Sequence, residues 1–229
     1  MTLSAPDTQQ AMRAEIVRVG SSLFSRGLAH STAGNISVRL DAAQGGGFLI
    51  TPTDACLGHL DPDELAWVGE DGQQRAGARA SKTLALHRRI YEAAPHARSV
   101  LHTHSTHLVA LSLQGVWQAQ DILPPITPYQ VMKVGHVPHL AYRAPGDAAV
   151  ADVLGALIRR AERPLHAAML ERLGPVVWHH SPAQAMALLE ELEETARLWL
   201  LCSPRPAPLD DTRIDELRHR ELHPPLGLA

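Results

Sequence analysis

Two cysteines in 229 residues, Cys56 and Cys202, are too few for a disulfide framework. They fit a reducing compartment, and both are expected to be buried rather than reactive. Aromatic residues are only 4% of the chain, which leaves little material for platforms that stack bases or sugars. No long basic block occurs and the formal net charge is −3, so nucleic acid is not an expected partner. No apolar run approaches the roughly 18 residues of a membrane span. Residues 1–4 have neither the charged nor the apolar region of an export signal. Neither G-x-G-x-x-G nor G-x-x-x-x-G-K-[ST] is present, so nothing points to a nucleotide site. These absences leave a cytoplasmic protein without a membrane partner.

What is present is 45% apolar residues, enough for a sizeable core, with 20% charged residues on a chain the size of one large domain. The spacing of Met12, Ile16, Val19 and Leu23 predicts a helix over 6–26, capped by Asp7 or Thr8 and ended by Gly27. Residues 31–35 read as a turn. Alternation predicts strands at 36–40 and 48–51, a hairpin around the Gly-rich loop, with 52–63 irregular. A helix capped by Ser81 is expected through Tyr91, a strand at 100–104, and a helix from there to Leu113. The proline-rich stretch 121–138 shows little periodicity. Helix is expected at 150–163 and short strands at 167–170 and 176–178. Ser181-Pro182-Ala183-Gln184 is a capping box opening a helix with a core stripe through Leu188, Leu189, Leu192 and Ala196. Residues 1–202 therefore read as one α/β domain with a mainly antiparallel sheet. Residues 203–229 read as a stiff Pro-rich linker and a tail helix.

Fourteen histidines against two cysteines mean that any transition metal would be held by imidazole and carboxylate. His102-Thr103-His104 closes an apolar run. On a strand, residues two apart share a face, so both rings would project into one space, as two ligands of a zinc-like ion must. Elsewhere, the Gly34-Asn35 turn and the hydroxyls of Thr53 and Ser81 could donate to phosphate oxygens. A helix beginning near Ser81 would favour an anion, and Lys82 would add charge. Each also has an ordinary reading, as a plain turn or a plain N-cap.

Taken in order, residues 32–37, Ile50-Thr51-Pro52-Thr53, Ser81-Lys82 and His102-Thr103-His104 resemble the class II aldolase/adducin family. The likeness runs from about residue 9 to about residue 202 and includes residues 174–178 and 188–196. Leu123-Pro124-Pro125-Ile126-Thr127-Pro128-Tyr129, Ala144-Pro145-Gly146-Asp147, residues 57–62 and residues 104–107 are similar to the branch that decarboxylates 3-oxo-tetronate 4-phosphates. The resemblance implies a three-layer α/β/α fold with a mainly antiparallel central sheet and a homotetramer with active sites between subunits. It also implies a divalent metal, zinc by expectation, on His102 and His104. The phosphate of a small sugar or sugar acid would then be held by Gly34, Asn35, Thr53, Ser81 and Lys82. Tyr129 is the phenol matched to a proton donor.

Two positions depart from that pattern. Thr83 stands where the family carries a glutamate that serves as metal ligand and acid/base, so this catalytic position lacks a carboxylate. Leu173 stands where the family's third metal histidine precedes a glycine. His179, His180, His139, His107 and Glu171 are open as replacements. Two readings follow. One is a metal-dependent carbon–carbon lyase, an aldolase or decarboxylase, with a degenerate metal site. The other is an inactive member that binds a phosphometabolite or forms oligomers.

Overall fold

The computed structural model describes residues 8–222. Helix α1 (Gln9–Ser25) begins at Thr8, whose side chain accepts from the Ala11 N–H, and buries Met12, Ile16, Val19 and Leu23 along one stripe. Of the expected start, Pro6 and Asp7 lie outside the described residues.

Eight strands follow: β1 (Asn35–Arg39), β2 (Phe48–Ile50), β3 (Ala66–Val68), β4 (Gln74–Ala76), β5 (Ser99–His102), β6 (His139–Leu140), β7 (Ala167–Leu170) and β8 (Gly174–His179). They form one sheet in the order β4-β3-β2-β1-β5-β8-β7-β6. Every pairing is antiparallel except β6 with β7. The remaining helices are α2 (Leu84–Ala93), α3 (Thr106–Gln114), α4 (Ala149–Arg160), α5 (Pro182–Leu201) and α6 (Asp211–Leu222).

Alternation along the central strands divides two cores. Ile36, Val38, Leu101, Ala167, Met169 and Val177 join the α1 and α5 stripes on one face. Val100, Ala168, Leu170, Val176 and Trp178 join Ile90 and Tyr91 of α2 and Leu154 of α4 on the other. This is the expected three-layer α/β/α arrangement, and the central strands β7 and β8, covered on both faces, are accordingly apolar along most of their length.

Several local expectations are corrected. The strand carrying the paired histidines ends at His102, leaving Thr103 and His104 in the following turn. Helix α2 starts at Leu84 with Thr83 as its N-cap residue, not Ser81. Strands β3, β4 and β6 went unread: each has two or three residues and, unlike Phe48-Leu49-Ile50, none is an unbroken run of large apolar side chains. The stretch 121–138 contains a π-helical turn, Gln130–Val134. Ser181 does cap α5 by accepting from Gln184 N–H, but the Gln184 side chain turns to His179 instead of closing the box. Cys202 is exposed and Cys56 partly so, not buried. The linker is tied to its own domain, since Leu209 N–H donates to Pro125 C=O and α6 packs on the π-helical turn.

Candidate functional site

Strand parity places Asn35, Ser37 and His102 on the face covered by α2. Asn35 pairs with His102 in the β1–β5 register. Two glycines pin the turn that follows. A Cβ at Gly34, where φ is +93°, would sit 2.7 Å from the His102 carbonyl oxygen. A Cβ at Gly174, where φ is +136°, would run into the carbonyl oxygen of Thr103. Both positions need glycine, for the positive φ and for the close backbone approach. The segment 102–104 is therefore clamped between two turns, although it is not itself extended throughout.

The clamp brings the rings of His102 and His104 to 5.1 Å between centroids. His102 is buried, and its Nδ1 lies 2.8 Å from the Pro175 carbonyl oxygen. A carbonyl only accepts, so Nδ1 carries the proton and Nε2 presents its lone pair. Burial, then the neighbouring His104, push the His102 pKa down to about 4 despite that bond. His104 is lowered by burial and by His30, whose ring lies 6.5 Å away. Both imidazoles are thus neutral near pH 7.

Sequence reading missed His87. It lies one helical turn after Thr83, fully buried, with Nδ1 2.8 Å from Ser37 Oγ, which in turn lies 2.7 Å from the Tyr91 hydroxyl. Burial, then His102, lower its pKa to about 3. His87 Nε2 and Asn35 Oδ1 are both buried without a hydrogen-bond partner. The signal for His87 was its place on the buried stripe with Tyr91, but only the register of β1 shows that this stripe faces the polar Ser37.

The residues expected to hold phosphate also come together. Thr51 Oγ1 accepts from Ile36 N–H, one residue from Asn35. Pro52 bridges Ala80, Thr53 N–H donates to Arg79 C=O, and Ser81 N–H donates to Thr51 C=O. Asn35, Thr53 and Ser81 are thereby gathered at one end of β1 and β2 beside the N-terminus of α2. Ser81 Oγ lies 2.9 Å from Thr83 Oγ1, and Lys82 is exposed.

Tyr129, 62% exposed, precedes the π-helical turn, and no hydrogen bond or ring contact among the described residues joins it to this group. The five replacement candidates fall elsewhere. His179 pairs with Ser99 while Val176 pairs with His102, so His179 and His180 stand at the opposite end of the sheet. His107 is held by Glu193, His139 begins β6, and Glu171 accepts from Tyr142 N–H. Leu173 packs on the apolar cluster under α2 and α4. Neither of two cavities, about 620 and 520 Å³, is lined by Asn35, Ser81, His102 or His104.

The donor set fits a divalent ion only in part. His102 Nε2 and His104 have the right tautomeric freedom and spacing. Thr83 and Leu173 supply no ligand, and among the described residues no three His, Cys, Asp or Glu side chains converge. A resident catalytic ion needs at least three protein ligands as a rule, so the residues present do not complete such a site.

The sequence and the fold match known proteins. The chain is 52% identical over 216 residues to a 3-oxo-tetronate 4-phosphate decarboxylase of Cupriavidus necator, covering 92% of this chain and 96% of that one. It is 41% identical over 212 residues to the Escherichia coli K12 protein of the same name, with 92% and 96% covered. Among solved structures, YgbL from Escherichia coli superposes with a TM-score of 0.84 at 40% identity, covering 92% of this chain and 99% of that one. L-Fuculose-1-phosphate aldolase from Thermus thermophilus superposes with a TM-score of 0.71 at 28% identity, covering 86% and 98%. The model of the class II aldolase and adducin N-terminal domain matches residues 14–200. With the sheet order, the clamped histidine pair and these likenesses in agreement, the chain belongs to the class II aldolase and adducin N-terminal domain family.

Proposed function

We propose that this chain is a carbon–carbon lyase of the decarboxylase kind, acting on a small phosphorylated 3-oxo sugar acid, with a metal site reduced to His102 and His104. The observation that carries the reading is the convergence of Asn35, Thr53 and Ser81 at the α2 N-terminus beside the His102–His104 pair. Helix N-terminal amides and Lys82 favour a phosphate ester. Likeness to the decarboxylases over nearly the full length of both chains supports the substrate class.

In a 3-oxo acid the bond between the carboxylate carbon and its neighbour breaks, the electron pair moves to the ketone oxygen, and carbon dioxide leaves. The site must then stabilise an enolate oxygen and return one proton to carbon. We assign the contact to the enolate oxygen to the neutral His104; His87, fully buried, has its Nε2 unpartnered next to His102. Tyr129, exposed in one chain, is available as a proton donor only if a neighbouring copy brings it to the cleft, in keeping with the tetramer that we expect. Zinc or another divalent ion would bind His102 and His104 weakly, and no step is assigned to it.

The second reading, a binding protein without catalysis, is favoured by Leu173, which is committed to apolar packing. The deciding assay is carbon dioxide release from a 3-oxo-tetronate 4-phosphate by untagged protein, with and without added zinc, against His104→Gln. Release well above the spontaneous rate that falls in the variant supports the lyase. Binding of the phosphate ester with no release overturns it in favour of the binder.

A further inference from the structure

At the end of the sheet remote from His102, four more histidines meet. His96 lies in the turn before β5, His166 directly precedes β7, His179 ends β8 and His180 follows it. Backbone pairing assembles them: Arg98 N–H donates to His179 C=O, and Trp178 N–H donates to His166 C=O. Their ring centroids form a closed circuit, with His96–His166 at 5.2 Å, His166–His179 at 5.1 Å, His179–His180 at 5.0 Å and His180–His96 at 5.6 Å. We propose that His96, His166, His179 and His180 are a second metal site, taking a borderline divalent ion such as nickel, copper or zinc.

The spacing is the first argument. A metal–imidazole bond of about 2.0–2.1 Å puts each ring centroid about 3 Å from the ion, so neighbouring ligand rings stand about 5 Å apart. All four neighbour distances are close to that. In the orientations observed no three donors already converge. The ion would close the circuit by turning the rings, whose centroids already stand at neighbour-ligand distances.

The second argument is unmet valence. His96 Nε2 and His166 Nδ1 are buried without a hydrogen-bond partner, a costly state that an ion would relieve. His179 Nδ1 accepts from the His180 backbone N–H at 2.9 Å and lies 3.0 Å from Gln184 Oε1, so its ring is held beside the other three. Burial, then His179 and His96, hold the His166 pKa down to about 4, so its imidazole is neutral and able to ligate. Burial likewise lowers His96 and His179. An all-imidazole set suits zinc, copper and nickel and excludes calcium and magnesium, which need oxygen. His179 is three residues from Val176, the partner of His102, so the two histidine groups are about 10 Å apart along the strands and do not share an ion.

The test uses the untagged full-length chain carrying His104→Gln, which weakens the other group. Nickel and zinc salts alone are the probes, read by equilibrium dialysis and by the thermal unfolding midpoint. We expect about one ion per chain and a raised midpoint, since an ion bound only by the folded state stabilises it. Adding His166→Gln or His180→Gln should weaken binding at least tenfold and abolish the shift. His180 is exposed, so that variant folds and decides the matter even if His166→Gln does not. Absence of binding in the parent overturns the site. So does unchanged affinity in His96→Gln and His166→Gln, which would leave only the adjacent pair His179-His180 as a surface chelator.

Discussion

Gly34 faces the carbonyl oxygen of His102 so closely that a side chain at residue 34 would have its Cβ 2.7 Å from that oxygen. Gly34→Ala therefore meets both a left-handed backbone and a hard contact. We expect a loss of about 2–4 kcal/mol, read by urea unfolding. A cost below about 1 kcal/mol would show that the turn can relax away from His102.

Glu193 on α5 caps α3. One carboxylate oxygen accepts from the His107 backbone N–H and lies 2.9 Å from His107 Nδ1, and the other accepts from Leu108 N–H at 3.0 Å. The group is buried, so Glu193→Ala leaves two helix N-terminal amides without a partner. We expect a loss of about 2–3 kcal/mol, with Glu193→Gln intermediate. Because α3 follows directly on His104, hydrogen exchange at residues 103–108 should speed up in the alanine variant. Unchanged exchange there would mean that the turn holds α3 without the cap.

His87 makes stability depend on pH. Its folded pKa, about 3, is below the ordinary histidine value, so the unfolded chain binds the proton more readily. Its neutral form supports the fold fully above about pH 6.5, and that support is lost as pH falls toward the folded value. The slope from this residue is on the order of 1.4 kcal/mol per pH unit in that window. His87→Leu should flatten the unfolding free energy between about pH 6 and about pH 4 relative to the parent. An equal slope in both proteins would assign the acid sensitivity to other groups.

Thr83→Glu with Leu173→His should add about one retained ion per chain at His102 and His104, beyond any ion held by the four-histidine group. Thr83 stands at the N-terminus of α2, where a carboxylate is favoured, and Leu173 adjoins Gly174 against the 103–104 turn. Each change alone leaves the site short of a ligand, so the two should act together. Metal content after dialysis is the measurement. A folded double variant that holds no more zinc than the parent would show that these side chains do not reach His102 and His104.

The layers of the fold were readable because alternation and helical stripes extend over whole elements: Ile36 and Val38 on one side of β1, Met12 to Leu23 along α1. The histidine pair was readable for a local reason, two like residues separated by a single threonine. His87 and His30 were not, since their nearness to His102 and His104 comes from pairing between β1 and β5 and from the packing of α2, neither of which leaves a mark in neighbouring sequence. Nor was the position of His179 and His180. Their adjacency to Leu173 in sequence suggested a shared site, whereas β8 carries them the length of the strand away from it.

The sheet ends in very short strands, three residues of β4 on one side and two of β6 on the other. Beside β4, the Gln74 side chain donates to the carbonyl groups of Gly77 at 3.0 Å and Ala78 at 2.8 Å, and Arg75 is paired with Asp71. Charged and self-satisfied margins of this length give an incoming strand almost nothing to pair with. The β4 margin therefore disfavours edge-to-edge pairing of copies and guards the protein against aggregation of that kind when it is concentrated.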